Sequence, residues 1–113
     1  MKKISVVIPY HSYPHYLKEC LTSLKVSAFQ DFETLLVVDA DGQGAPEFVQ
    51  DYDVTVISCT KKGVAACRNE GIKHAQGEYI YFLDADDYVL EHTLGDLAQQ
   101  MNGHDLVFGV IRH

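Results

Sequence analysis

The sequence predicts an α/β fold in which a mainly parallel sheet carries helices on both faces. Continuous apolar runs rich in β-branched residues, such as residues 4–8, are typical of strands buried on both faces. Segments whose apolar residues recur at helical spacing alternate with these runs. Because parallel strands joined by a helix form right-handed βαβ units, the alternation predicts a parallel, covered sheet.

The predicted elements fill one domain that spans residues 1–113. The first strand is predicted to end at Pro9, and a helix follows because Leu17, Cys20, Leu21 and Leu24 recur at helical spacing. Residues 41–46 are predicted to form a loop. The later strands are predicted over residues 34–38, 54–58, 79–83 and 106–111, and the later helices over residues 64–75 and Thr93–Met101.

The charge balance limits the class of partner. The chain has 16 acidic residues against 9 Lys and Arg, so its formal net charge is −7. A nucleic-acid partner would need a basic face, and we therefore expect no nucleic-acid binding. A polyphosphate ligand would be repelled unless a metal ion or local cations intervened, so the acidity is a mild indication of a cation cofactor. Solubility is the simpler explanation of the same charge.

Cysteine content and hydropathy indicate the compartment. Cys20, Cys59 and Cys67 show no paired spacing and fit a reducing compartment better than a disulfide framework. The simplest interpretation of all three is that they are small, buried apolar side chains. No apolar stretch approaches the roughly 20 residues of a membrane span. We therefore expect a cytoplasmic chain, located at the cytoplasmic face of the membrane if the full-length protein carries an anchor.

The acidic segment, residues 84–87, is the strongest candidate for chemistry. It carries three carboxylates within four residues and follows the apolar run of a predicted strand. Carboxylates this close together repel each other, so a folded protein places them only in solvent or around a cation. Residues i and i+2 of an extended segment face the same way, so Asp84 and Asp86 can serve one ligand set. Oxygen ligands suit Mg²⁺ or Mn²⁺, and a helix cap formed by Asp86 or Asp87 is the alternative.

Two further polar residues are candidates, one after a predicted strand and one on a predicted helix. Asp39 follows the second strand, where its carboxylate could accept hydrogen bonds from a base or a ribose, and an Asx turn that closes the strand is the alternative. Arg68 is placed to approach phosphate or to organise the Asp39 loop, although an exposed Arg is usually only a solvated charge. Open α/β sheets bind ligands at the edge where the strands end, and the polar segments 9–12, 39–41 and 84–87 are expected at that edge.

Together these residues resemble the N-terminal half of family 2 glycosyltransferases of the GT-A fold. The similarity is carried by residues 5–9, 17–24, 63–71 and 77–87, and by the strand that ends at Asp39. Each segment alone is weak evidence of the resemblance, whereas the whole set in this order and spacing is highly specific for the family. The resemblance covers nearly the whole chain. It implies a Rossmann-like, nucleotide-binding GT-A sheet and an enzyme that transfers a sugar from a nucleotide-diphosphate donor to an acceptor.

The resemblance implies a nucleotide-binding role for residues near the first two strand ends. Pro9, Tyr10 and His11 would line the nucleoside pocket, Asp39 would bind the base, and Arg68 would support that site. The sequence departs from the family pattern in the turn after the second strand, which reads Asp-Ala-Asp-Gly-Gln, and in a Tyr-His-Ser run where Tyr-Asn is usual. Which aspartate meets the base, and which residue stacks on it, is therefore left open.

The same resemblance implies a metal-dependent donor site. Asp84 would approach the ribose or the metal ion, and Asp86 would be the main metal ligand. A Mn²⁺ or Mg²⁺ ion would neutralise the diphosphate leaving group. A UDP-sugar is the expected donor by family frequency, and the expected acceptor is a saccharide or a lipid-linked glycan.

The family places its general base and acceptor-binding elements well downstream of the acidic segment. We therefore expect no catalytic base in this chain, which is predicted to be truncated at its C-terminus and to self-associate. A donor-binding domain without transfer activity, or an inactive fragment, is the alternative. Residues 79–86 also resemble the DxD motif of haloacid-dehalogenase phosphatases, with Asp84 as nucleophile and Asp86 as general acid, but that motif belongs on the first strand.

Overall fold

The computed structural model describes residues 2–101, 106–107 and 110–112. The strands are β1 (Ile4–Tyr10), β2 (Phe32–Val38), β3 (Thr55–Ser58), β4 (Tyr79–Phe82), β5 (Leu106–Val107) and β6 (Val110–Arg112). The helices are α1 (Pro14–Lys25), α2 (Val64–His74) and α3 (Thr93–Met101), and a short 3-10 helix covers Glu47–Asp51.

These strands form one sheet in the order β3-β2-β1-β4-β6-β5. Strand β1 is parallel to β2, from Ile4 opposite Phe32 to Tyr10 opposite Val38. It is also parallel to β4, and β2 is parallel to β3. The α/β prediction with a mainly parallel sheet is therefore confirmed.

Strand β1 continues through Pro9, the residue at which the sequence pattern predicts its end. The carbonyl of Val7 faces β4, because it accepts the N–H of Leu83 at 3.0 Å, whereas the carbonyl of Tyr10 faces β2 and accepts the N–H of Asp39 at 2.8 Å. Pro9 lies two residues after Val7 and so faces the β4 side, where strand pairing has already stopped. The missing N–H of the proline therefore costs no hydrogen bond of the sheet.

The prediction of one strand over residues 106–111 is wrong. The segment instead contains β5 and β6, which pair antiparallel to each other, and β6 pairs antiparallel to β4. Residues 108 and 109 between them lie outside the described residues. An apolar run does not by itself distinguish one continuous strand from two short strands that fold back on each other. The parallel sheet therefore gains an antiparallel edge.

Two apolar layers cover the two faces of the sheet. One layer joins α1 and α3 to the face of β1 that carries Ile4, Val6, Ile8 and Tyr10. The other joins α2 to the opposite face, which carries Val7. The predicted placement of helices on both faces is thus confirmed.

The cysteines at positions 20, 59 and 67 are free thiols with buried side chains, as expected.

Helix α2 approaches the sheet closely because of a glycine. A Cβ added at Gly71 would overlap the side chain of Val7, which is fully buried on β1. The small residue thus allows the helix backbone to lie close to the sheet. Among the described residues, no helix is both long enough and apolar enough to cross a membrane.

Candidate functional site

The candidate residues meet at the carboxyl edge of the sheet, the edge at which the parallel strands end. Backbone hydrogen bonds tie the connections there to each other. The N–H of Asp39 donates to the carbonyl of Tyr10 at 2.8 Å, and the N–H of Gln43 donates to the carbonyl of His11 at 2.9 Å. Because β4 is parallel to β1 in the same sheet, Asp84 follows it at this same edge. The predicted shared edge of Asp39 and Asp84 is confirmed.

Asp39 is held in place by backbone groups from two elements. One carboxylate oxygen accepts the N–H of Asp41 at 2.9 Å, which forms the Asx turn given above as the alternative role of Asp39. The other accepts the N–H of Gly63 at 2.9 Å, directly before α2. The hydrogen bond from Asp41, and then the one from Gly63, hold the pKa of Asp39 below its ordinary value. Asp39 is therefore an ionised carboxylate, only 8% exposed, that joins the β2 end to the start of α2.

The acidic segment forms a turn that faces solvent. The N–H of Asp87 donates to the carbonyl of Asp84 at 2.9 Å and closes the turn. Asp84, Asp86 and Asp87 are all exposed, while Leu83 directly before them is 3% exposed and anchors the segment in the core. The carboxylates are therefore presented to solvent from a fixed point on the sheet.

Arg68 connects α2 to the acidic segment. One guanidinium nitrogen lies 3.6 Å from a carboxylate oxygen of Asp84, and the guanidinium carbon lies 5.5 Å from the centre of the Phe82 ring. The resemblance implied that Arg68 supports the Asp39 site, and the structure places it against Asp84. A positive charge on α2 is thus directed towards the edge that the carboxylates occupy.

The three residues expected to line a nucleoside pocket lie in different environments. Pro9 is half-buried and His11 is exposed. Tyr10 is 1% exposed and packs in the core, where burial raises the pKa of its hydroxyl. Its ring therefore does not form part of an open pocket wall, and its backbone carbonyl is the group that reaches the edge.

The carboxylate oxygens of the acidic segment suit a metal ion that takes only some of its ligands from the protein. In the part of the chain that the structure describes, no three His, Cys, Asp or Glu side chains converge to form a metal cage. The exposed carboxylates of Asp84 and Asp86 offer hard oxygen ligands at the carboxyl edge. Mg²⁺ is commonly bound through one or two carboxylates, with phosphate oxygens and water completing its shell. The residues present suit that kind of binding.

Two glycines of the site were not identified from the sequence. Gly63 supplies a backbone N–H to Asp39 and has φ +107°, a conformation that side-chain-bearing residues rarely adopt. A Cβ on Gly42 would lie 2.6 Å from the carbonyl oxygen of His11, so only glycine allows the two loops to approach this closely. The sequence does show a glycine directly after a charged residue in each of the two loops. That pattern indicates a turn, but it does not show what the turn contacts.

Comparison with protein families decides the assignment. The family model described as Glycosyl transferase family 2 matches residues 5–113. The chain belongs to this family. Its predicted membership and its GT-A fold are confirmed, and the phosphatase alternative is not supported, since Asp84 follows β4 and not the first strand.

Named relatives and a solved structure agree with this membership. The chain is 37% identical to the glycosyltransferase GlyG of Streptococcus pneumoniae over 90% of this chain and 36% of that protein. It is 32% identical to the uncharacterized glycosyltransferase EpsJ of Bacillus subtilis, over 91% of this chain and 31% of EpsJ. The crystal structure of Staphylococcus aureus TarS 1-349 in complex with UDP-GlcNAc is similar with a TM-score of 0.79 at 30% identity, over 90% of this chain and 32% of that one. This family 2 chain thus spans about a third of the length of each of these three proteins.

Proposed function

We propose that this chain is the donor-binding part of a family 2 glycosyltransferase and that it binds a UDP-sugar at the carboxyl edge of its sheet. The observation that carries the proposal is the meeting of an ionised, backbone-held Asp39 with the Arg68–Asp84 pair at one edge. The similarity to TarS, solved with UDP and with UDP-GlcNAc, supports the same ligand class.

The state of Asp39 suits recognition of a nucleoside. An ionised carboxylate has about four positions that accept hydrogen bonds, and backbone N–H groups occupy two of them here. The remaining positions would accept N–H or O–H groups of the base or ribose. The Pro9–His11 connection would form the neighbouring wall, with backbone groups in place of the buried Tyr10 ring.

The charges at the acidic segment suit a cation-assisted diphosphate. Asp84 and Asp86 would hold a Mn²⁺ or Mg²⁺ ion, which when bound neutralises negative charge on the diphosphate as a Lewis acid. The Arg68 guanidinium, 3.6 Å from Asp84, adds a fixed positive charge beside that position. It would orient the Asp84 carboxylate and reduce the repulsion between the acidic segment and the phosphates.

The complete reaction would pass the sugar to a glycan acceptor. A general base must come within hydrogen-bond distance of the acceptor hydroxyl, and the sequence offers no candidate for that role. We therefore assign donor binding to this chain and the transfer step to an enzyme of which it forms a part. The expected self-association and the location at the cytoplasmic face of a membrane remain predictions.

Calorimetric titration with a set of nucleotides tests the proposal. UDP, GDP, CDP and ADP would be titrated into the chain with Mn²⁺ present. We expect UDP to bind and the other nucleotides to bind more weakly. The Asp39→Asn variant should weaken UDP binding with Mn²⁺ and with chelator alike, because its proposed partner is the nucleoside. Absence of binding for all four nucleotides would contradict donor binding by this chain.

A further inference from the structure

The acidic segment is attached to the rest of the fold on both of its sides. Leu83, directly before it, is 3% exposed and donates its N–H to the carbonyl of Val7 on β1 at 3.0 Å. Val89, two residues after it, is 5% exposed and donates its N–H to the hydroxyl oxygen of Ser23 on α1 at 3.1 Å. The exposed carboxylates therefore lie between one attachment to the sheet and one attachment to a helix.

Helix α1 makes a second contact with the acidic segment from the same face. Cys20 precedes Ser23 by three residues, so the two side chains are neighbours on the helix surface. The Cys20 sulfur lies 4.0 Å from the carbonyl oxygen of Asp84, the first residue of the acidic segment. Burial, followed by the charges of the three aspartates of the acidic segment, raises the pKa of the Cys20 thiol to about 12. The thiol therefore stays protonated and can donate to that carbonyl.

The Ser23 hydroxyl is oriented by its own helix. Its O–H donates to the carbonyl of Cys20 at 2.6 Å. A serine hydroxyl has one donor and two acceptor positions, so with its donor used it offers only acceptor positions to the N–H of Val89. The chain is held to the C-terminal end of α1 once more two residues later, where the N–H of Ala28 donates to the carbonyl of Glu91 at 3.0 Å. Ser23 is thus the member of this attachment that is nearest in the chain to the carboxylates.

The Asp86 carboxylate depends on this backbone for its position. Asp84 is paired with Arg68. Within the described residues, in contrast, the side chain of Asp86 makes no hydrogen bond and no ion pair. A functional group must be held within about 0.5 Å of its working position. For Asp86, that precision has to come from the backbone on either side of it.

We propose that Ser23 is a positioning residue that holds Asp86 for metal binding through the backbone of Val89, an inference that rests on the proposed function. Loss of the hydroxyl would release the attachment that lies three residues after Asp86 and leave the Leu83 attachment in place. The carboxylates would remain, but their positions relative to each other and to the diphosphate would no longer be fixed. The metal-dependent part of UDP affinity should therefore fall, while the part proposed for Asp39 should not.

Calorimetric titration of UDP, with Mn²⁺ and with chelator, tests this inference in four chains: the parent, Ser23→Ala, Ser23→Thr and Thr22→Ala. We expect Ser23→Ala to lower the gain in UDP affinity from Mn²⁺ by about three- to tenfold. Groups bonded directly to a metal ligand typically have a larger effect, roughly 10- to 100-fold, whereas Ser23 acts through the backbone. Ser23→Thr keeps the hydroxyl and should keep the gain. Thr22→Ala is the matched control, because it removes the neighbouring hydroxyl of α1, which bonds the Tyr52 hydroxyl at 2.8 Å.

Three results would overturn the inference. The first is a Ser23→Ala variant with a lower thermal midpoint but the Mn²⁺ gain of the parent, since a purely structural role predicts that combination. The second is an equal loss of affinity with Mn²⁺ and with chelator. The third is a Thr22→Ala variant that loses as much of the gain as Ser23→Ala does.

The parent chain separates this inference from the proposed function. A parent that binds UDP more tightly with Mn²⁺, together with a Ser23→Ala variant that does so equally, overturns the role of Ser23 alone. A parent that does not bind UDP overturns the proposed function. A parent that binds UDP without any gain from Mn²⁺ overturns the metal role proposed for Asp86, and this inference with it.

Discussion

The guanidinium of Arg68 lies 3.6 Å from the carboxylate of Asp84, and this contact joins helix α2 to the end of strand β4. The two side chains are 44% and 60% exposed, so the ion pair itself contributes little to folding stability. Its importance lies in its position. It sets a cation against the carboxylates at the edge where the diphosphate of the donor is proposed to bind.

Arg68→Gln should separate binding from stability. We expect UDP binding in the presence of Mn²⁺ to weaken roughly tenfold, since a charge-assisted contact is lost. Unfolding free energy should change by less than about 1 kcal/mol because the ion pair is exposed. Lys73→Gln is the control, because Lys73 lies on the same helix and forms a local ion pair with Glu70. Equal UDP affinities of the two variants in calorimetry would remove Arg68 from the donor site.

Asp39→Asn should lower stability in a manner that depends on pH. The N–H groups of Asp41 and Gly63 stabilise the ionised carboxylate, so the folded-state pKa of Asp39 is lowered. Its contribution is therefore fully present above the ordinary Asp pKa of about 4 and is lost as the pH falls through the lowered folded pKa. We expect a lower thermal midpoint for the variant at pH 7 and a smaller difference near pH 3. A difference in thermal midpoint between parent and variant that stays constant from pH 7 to pH 3 would contradict this role of Asp39.

Gly71→Ala should destabilise the fold through steric overlap. The new methyl group would collide with the Val7 side chain, and overpacking of this kind costs about 1–3 kcal/mol. Gly95→Ala is the matched control in α3, since its Cβ would contact Phe29 at an ordinary 3.6 Å. That change should be neutral or stabilising by up to about 1 kcal/mol because alanine favours helix. Chemical denaturation measures both, and equal effects would show that Gly71 is not a packing requirement.

The regular elements could be predicted because their patterns are local. Strand β2 carries an unbroken run of buried residues, and α1 buries the four residues that recur at helical spacing. The ends of an element were less predictable where they depend on the strands or helices that pack beside it. Strand β1 passes through Pro9 because no strand pairs with that side of it, a fact that no local pattern contains. The sequence pattern predicts no element over residues 47–51, where the structure has the 3-10 helix Glu47–Asp51, because the buried Val49 gains significance only from the packing around it.

The site could be predicted as a set of residues but not as a set of contacts. The carboxylates were identified because they follow strand ends, and the sheet brings Asp39 and Asp84 to one edge. The pairing of Arg68 with Asp84 depends on how closely α2 packs on β1, and the backbone bond from Gly63 depends on the loop that precedes α2. Contacts of this kind join residues that are far apart in sequence, so the spacing of residues along the chain does not reveal them.

The metal dependence of UDP binding in Asp86→Asn tests the central claim most directly. Calorimetry would compare the parent, Asp86→Asn and Asp87→Asn, each with Mn²⁺ and with chelator. Both variants remove one negative charge from the acidic segment, so a difference between them reports ligation and not charge alone. We predict that Mn²⁺ strengthens UDP binding by roughly 5- to 150-fold in the parent and in Asp87→Asn, and that Asp86→Asn loses most of this gain. If Asp86→Asn shows the same Mn²⁺ dependence as the parent, the donor site proposed around Asp86 is contradicted.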